Sequence, residues 1–266
     1  MTLVEAVRAF SGITRRELLR FLQQRGRLVA ALVRPLLWLA VFAAGFRAVL
    51  GVSIIPPYDT YVPYEVYIAP GLIGMIQLFN GMQSSLSMVY DRELGSMRLL
   101  LTAPLPRWFL LVSRLCASTV VSVLQVYAFL AIAAILGVGF TPAGYVMVLP
   151  ALIVSGLMLG ALGLLLSSFI RQLENFAGVM NFVIFPAFFL SSALYPLWKL
   201  KEASNLLYWV SALNPFTQAV ELIRFSLYLK VNFAAAGWSL LALVVFTVAA
   251  VIAYDPRRGI AGRQIA

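Results

Sequence analysis

The sequence predicts an all-α integral membrane protein. It has six transmembrane helices, an N-terminal interfacial amphipathic helix, a short cytoplasmic helix between spans two and three, and a re-entrant helix pair between spans five and six. Three observations predict it. Of 266 residues, 62% are hydrophobic and only 11% charged, far too apolar a balance for a soluble domain. The apolar residues come in runs close to the roughly 20 that a bilayer-crossing helix needs, and the length leaves room for about six of them. Of the 20 Lys and Arg, all but Arg47, Lys199, Lys201, Arg224 and Lys230 fall on the side of the N-terminus when the runs are threaded alternately. That bias marks the cytoplasmic face and puts both termini there.

The first segment, 1–27, is a cytoplasmic interfacial helix. Leu3, Val7, Phe10, Leu18, Phe21 and Leu22 share one side of the helical wheel, while Arg8, Arg15, Arg16 and Arg20 share the other. Thr14, Arg15, Arg16 and Glu17 form a capping-box pattern that starts a helix after a break at Ser11-Gly12. A basic amphipathic helix before a span lies in the membrane interface. The transmembrane domain occupies 28–266. Its first span, about 28–50, is interrupted early by Arg34-Pro35, and Arg34 is expected to snorkel to the cytoplasmic face. A Pro- and Tyr-rich outer loop follows.

Span two, about 66–89, carries Gln77, Asn80, Ser84 and Ser87 at steps of 3, 4 and 3, which is one helical face. A polar stripe in lipid must face protein or water, so it either glues helices together or lines a path. The charged segment 90–107 comes next, with Asp91, Arg92, Glu93, Gly95 and Arg98 before a stop at Pro104 and Pro106. Met97, Leu100 and Leu101 give it an apolar side. Held between two spans, such a helix transmits a push into the membrane; the plainer reading is a polar loop.

Span three runs about 108–136 and span four about 146–170, where Gly156, Gly160, Gly163 and Ser167 form a small-residue face for close helix packing. Span five, about 176–194, contains Asn181 and the kinking Pro186. The stretch 206–229 is apolar enough to cross the bilayer, but Asn214-Pro215 interrupts it and Glu221 and Arg224 follow. Taken as a seventh span it would turn the basic C-terminus outward, so a broken re-entrant pair fits better. The last span is about 238–254.

Several chemistries are excluded. There is no histidine, and the one cysteine, Cys116, lies in an apolar run, so neither His-based acid/base work nor a Cys or His metal site is available. No nucleic-acid-binding module carries the +10 net charge. No cleavable signal pattern opens the sequence. No GxxxxGK[ST], GxSxG or HExxH motif occurs. An ion-coupled secondary transporter is the alternative reading, but it calls for carboxylates inside the spans or an inverted repeat. A membrane enzyme is a third, thin without a carboxylate cluster at one depth.

An ordered set of motifs carries a family resemblance. Glu93-Leu94-Gly95-Ser96 with Leu99-Leu100 and Pro104 resembles the segment after the second span of ABC-2 type permeases, the membrane subunits of ATP-binding-cassette exporters. Residues 175–196 resemble that family's fifth span, Leu213-Asn214-Pro215-Phe216 its re-entrant stretch, and 14–27 its interfacial helix. Residues 32–58 are similar to the permeases encoded beside quinoprotein alcohol oxidation systems, a likeness that names no cargo. Arg98 departs from the pattern, standing where many members carry Glu.

The resemblance implies a homodimer in the bacterial inner membrane. Each copy would rest on a separate ABC ATPase that holds ATP and Mg, with no cofactor in this chain and no catalysis by it. Asp91, Arg92, Glu93, Leu94, Gly95, Ser96 and Arg98 would form the ATPase-coupling helix, and Arg15, Arg16, Glu17 and Arg20 would belong to the interfacial helix beside it. Gln77, Asn80, Ser84 and Asn181 are the candidates for the translocation path; Asn214, Pro215, Glu221 and Arg224 are those for an outer re-entrant gate. The cargo would be amphipathic or lipid-linked.

Overall fold

Long uninterrupted runs of Leu, Val, Ala and Phe leave the backbone one way to satisfy its own polar groups in an apolar medium, which is to coil. The computed structural model describes residues 3–23, 25–46, 57–59, 62–93, 106–170 and 172–253. Among them every regular element is a helix. In chain order these are α1 (Leu3–Gln23), α2 (Arg25–Phe46), α3 (Tyr64–Glu93), α4 (Arg107–Ile135), α5 (Pro142–Phe169), α6 (Leu173–Phe189), α7 (Leu197–Ala203), α8 (Asn205–Leu213), α9 (Pro215–Leu227) and α10 (Phe233–Ala253). Among the described residues, three stretches are long and apolar enough to cross a membrane: Trp108–Ile135, Pro142–Phe169 and Phe233–Ala253.

The hub is α3. At about 1.5 Å per residue it is some 45 Å long, and it packs on α2, α4, α5, α6 and α9. Its Tyr67, Ile68, Leu72, Ile73, Leu78 and Met82 are buried against Phe129 and Leu130 of α4, Phe188 of α6, and Phe216 and Ile223 of α9. A smaller apolar cluster at the other end joins Met88, Leu111, Leu115, Ala161, Leu164 and Ala250. By contrast α10 packs on α5 and α9 yet buries only 17% of its most apolar window; Leu240, Leu241, Val244, Val245 and Val248 stand exposed.

The N-terminal segment differs from its sequence reading. α1 runs unbroken through Ser11-Gly12, and the Ser11 hydroxyl donates back to the Arg8 carbonyl at 3.0 Å, the habit of a serine inside a helix. Thr14 therefore caps nothing: its Oγ1 is buried without a partner. Packing of α1 along α4, with Phe21 buried, outweighs the roughly 1 kcal/mol that a mid-helix glycine costs.

Prolines set the remaining boundaries. Pro142 follows the Thr141 cap, whose Oγ1 accepts from the Gly144 amide at 3.2 Å. The 206–229 stretch is divided into α8 and α9 at Asn214, with Pro215 opening α9. Pro35, Pro70, Pro150 and Pro186 lie inside their helices.

Candidate functional site

The polar stripe of α3 meets two different helices. Gln77 is buried between α3 and α5: its Nε2 donates to the Leu152 carbonyl at 2.7 Å, and its Oε1 accepts from the Ser155 hydroxyl at 2.6 Å. Asn80 turns to α4, where its Nδ2 donates to the Ser118 carbonyl at 2.8 Å and to the Ser118 hydroxyl at 3.1 Å. Ser84 is half-buried, and its carbonyl accepts from Ser87 at 2.6 Å. Asn181 is exposed on α6. The four path candidates thus divide: Gln77 and Asn80 join helices, while Ser84 and Asn181 keep open surface.

Glycines let these bonds form. A Cβ on Gly156 would meet the Gln77 amide nitrogen at 3.2 Å and the Thr119 methyl at 3.0 Å. A Cβ on Gly163 would stand 2.9 Å from the Gly81 carbonyl oxygen. The small-residue face of α5 therefore seats α3 and α4 together. The spacing of Gly156, Gly160 and Gly163 pointed to such a face; Gly81, its counterpart, passed unnoticed. So did a second polar stripe on α4, Ser118, Ser122 and Gln125, all buried. Steps of four and three in an apolar run were the signal.

Arg34 projects from α2 onto α3. Its guanidinium lies 4.1 Å from the centre of the Phe79 ring on α3, a cation on an aromatic face. The rotation of α2, fixed by buried Pro35 and Leu39 and by Trp38 against Phe188 and Phe189 of α6, points it inward.

The gate candidates form a closed knot. Asn214 caps α9, its Oδ1 accepting the Phe216 amide at 2.9 Å. Its Nδ2 donates to the carbonyls of Ala187 and Leu190, at 2.8 and 2.7 Å, at the end of α6. Pro215 occupies the first helical turn, where its missing N–H leaves nothing unpaired. Arg224, only 3% exposed, pairs with Glu221, donates to the Ser192 carbonyl at 2.7 Å and lies 4.3 Å over the Tyr67 ring. The Tyr67 hydroxyl donates to the same carbonyl at 2.9 Å. Above this knot Tyr58 sets its ring edge on Tyr228 at 5.0 Å, and Lys230 binds Asp59 at 2.7 Å and the Pro57 carbonyl at 2.9 Å. Burial pushes the Tyr58 phenol above its ordinary range, the nearby Arg224 cation opposing it.

Of the charged segment, Asp91, Arg92 and Glu93 are the last residues of α3. Leu94, Gly95, Ser96 and Arg98 lie outside the described residues. On α1, Arg15 and Arg16 are exposed, and Glu17 and Arg20 half-buried. Val4, Val7, Phe10, Leu19 and Leu22 also stand exposed there. Among the described residues no group of His, Cys, Asp or Glu is gathered in a way that could hold a metal ion.

Such a chain is an α-helical membrane protein whose buried polar groups tie helices together. It belongs to the ABC-2 type transporter family, whose model matches residues 8–228. It is 30% identical over 217 residues to a protein of Cyanophora paradoxa named transport permease ycf38, an alignment covering 77% of this chain and 70% of that one. The Pyropia yezoensis protein of the same name is 29% identical over 235 residues, 85% of this chain and 76% of its own. A protein of Escherichia coli strain K12 named multidrug ABC transporter permease YbhR is 30% identical over 194 residues, 71% of this chain and about half, 51%, of its own length.

Proposed function

We propose that this chain is the transmembrane permease subunit of an ATP-driven ABC exporter. It moves an amphipathic or lipid-linked substrate across the bacterial inner membrane, using ATP hydrolysed with Mg in a separate nucleotide-binding subunit. The observation that carries this reading is the family match across 8–228 in a sequence without a phosphate-binding loop of its own. The relatives named as transport permeases support it.

In this reading the chain crosses the membrane six times with both termini inside, and two copies form a homodimer. The coupling helix from Asp91 to Arg98, including Leu94, Gly95 and Ser96, seats in the ATPase beside Arg15, Arg16, Glu17 and Arg20 of the interfacial helix. The path runs between the two copies along spans one, two and five. Ser84 and Asn181 lie on its wall, and Gln77 and Asn80 set the rotation of that wall from behind. The knot around Asn214, Pro215, Glu221 and Arg224 forms the outer gate.

The test is co-purification of the tagged chain with an ABC ATPase, followed by ATPase and transport assays on the reconstituted complex. Gly95→Pro is expected to abolish coupling while leaving the folded permease intact. A complex that never retains an ATP-binding partner, with transport indifferent to Gly95→Pro, would sink the reading.

A further inference from the structure

A groove runs along the exposed seam between α4 and α5, and among the described residues no other element lines it. Close contacts fix the register of the pair. A Cβ on Gly160 would stand 2.7 Å from the Leu115 Cδ1, and one on Gly156 would stand 3.0 Å from the Thr119 methyl. The helices are therefore antiparallel there, and Cys116, Val120 and Leu124 run opposite Leu157, Ile153 and Leu149. Each row steps by four residues and forms a ridge along its helix; the trough between the ridges is about 12 Å long. Both walls belong to stretches long and apolar enough to cross a membrane, and the groove lies near the middle of each.

The lining decides what can lie there. Val120, Leu124, Leu149 and Ile153 stand exposed along the groove. Thr119 brings its one hydroxyl, which is buried and already donates to the Leu115 carbonyl at 2.9 Å. Half-buried Cys116 adds a thiol, a weak donor and a weak acceptor. The groove thus offers no strong hydrogen bond to water, to a peptide or to a polar head group. Its volume is ≈ 300 Å³. An apolar cavity of about 150 Å³ stays dry and takes up a benzene, so the room here is for about a dozen carbons. Spread over its length, that volume leaves a section roughly 5 Å across, half the diameter of a helix with its side chains, about 10 Å. A helix of a second copy does not seat in it, and one unbranched hydrocarbon chain does.

We propose that the α4–α5 groove holds one acyl chain of a bilayer lipid, bound by its hydrocarbon and not by its head group. Left empty, the walls forfeit dispersion contacts on one side, and lipid tails are as apolar as the leucines that line it. A chain lodged there bears on Thr119, whose methyl meets Gly156, and so braces the seam of α4 and α5 from the lipid side. The exposed face of α10 gives the contrast: Leu240, Leu241, Val244, Val245 and Val248 stand on one helix with no second ridge to make a trough.

The test is photo-cross-linking of the full chain in phosphatidylcholine nanodiscs. The probes are phosphatidylcholine and phosphatidylglycerol, each with a diazirine in the middle of one acyl chain, and adducts are mapped by mass spectrometry. Adducts on 116–124 and 149–157 are expected to exceed those on the α10 face, which reports passing lipid, by at least about fivefold. The two head groups should label the groove alike. Ile153→Trp and Val120→Phe, each at an exposed position, fill the groove and should bring its adducts down to the α10 level, with α10 labelling and melting temperature unchanged. If one of the two fails to fold, the other decides. Equal labelling of groove and α10 face, labelling untouched by the filling variants, or a clear preference for one head group would overturn the proposal. So would a disulfide formed between the Cys116 residues of two copies on mild oxidation, which would put protein in the groove. No ATPase or nucleotide is present, so this result and the exporter reading stand or fall separately.

Discussion

A Cβ placed on Gly81 would stand 2.8 Å from the Cα of Gly160, so α3 and α5 touch backbone to backbone at the middle of the bundle. Without a hydrophobic force between helices in lipid, such close approach is what holds them, through dispersion contacts and the interhelical bonds it permits. Gly81→Ala meets backbone that cannot rotate away, and overpacking of this kind typically costs about 1–3 kcal/mol. A lowered melting temperature in detergent is expected. Gly12→Ala, in α1 with nothing within 4 Å of the added methyl, should gain up to about 1 kcal/mol from helix propensity. Equal melting temperatures for the two variants would refute the packing account.

The Gln77–Ser155 bond should appear as a coupling energy. Gln77→Leu removes both the bond to Ser155 and the one to the Leu152 carbonyl, whereas Ser155→Ala removes only the first. A double-mutant cycle on unfolding in mixed micelles should return a coupling of about 0.5–2 kcal/mol. A value indistinguishable from zero would mean that Gln77 serves a path and not the α3–α5 seam.

Arg224 and Glu221 should be far from additive. Arg224→Met leaves a mostly buried carboxylate at Glu221 without its cation and removes one of the two donors, Arg224 and the Tyr67 hydroxyl, that bind the Ser192 carbonyl, a loss of about 3–5 kcal/mol. The double variant Arg224→Met with Glu221→Leu removes both charges and should recover a good part of that loss. Unfolding curves in which the double variant falls below Arg224→Met would contradict a buried pair.

At Asn214 two substitutions part company. Asn214→Ala loses the α9 cap, about 1 kcal/mol, together with the bonds to α6. Asn214→Asp keeps an oxygen for the Phe216 amide but turns a carboxylate toward the carbonyls of Ala187 and Leu190. If Asn214 were only a cap, Asp would be harmless. With the α6 bonds present, Asp should be the less stable of the two, and their order in a thermal melt decides between the two roles.

Much of the polar architecture was readable one helix at a time. The steps among Gln77, Asn80, Ser84 and Ser87 put them on one face, and the glycine spacing on α5 announced a close contact. The partners were not readable. Gln77 meets Ser155 and Asn80 meets Ser118 because α5 and α4 approach α3 from different sides, and periodicity records an angle on one helix without recording what stands opposite. Arg34 shows the same limit. Its place in an apolar run names no neighbour, and the seating of α2 on α3 sets the guanidinium over Phe79. At Ser11-Gly12 local preference favoured a break, and the contact of α1 with α4 overrode it.

The sequence by itself determined that the chain is a helical membrane protein, because apolar runs of spanning length permit little else. It also fixed the interruptions at Asn214-Pro215, where an asparagine cap and a missing N–H act locally. The tertiary structure alone decided which faces meet protein. A leucine is as comfortable against lipid as against another helix, so apolarity carries no record of the neighbour. Only the fit of glycines such as Gly81 and Gly160, and the pairing of the few buried polar groups, selects one arrangement of the bundle. That selection closed Arg224 into a knot with Tyr67 and set Arg34 on the ring of Phe79.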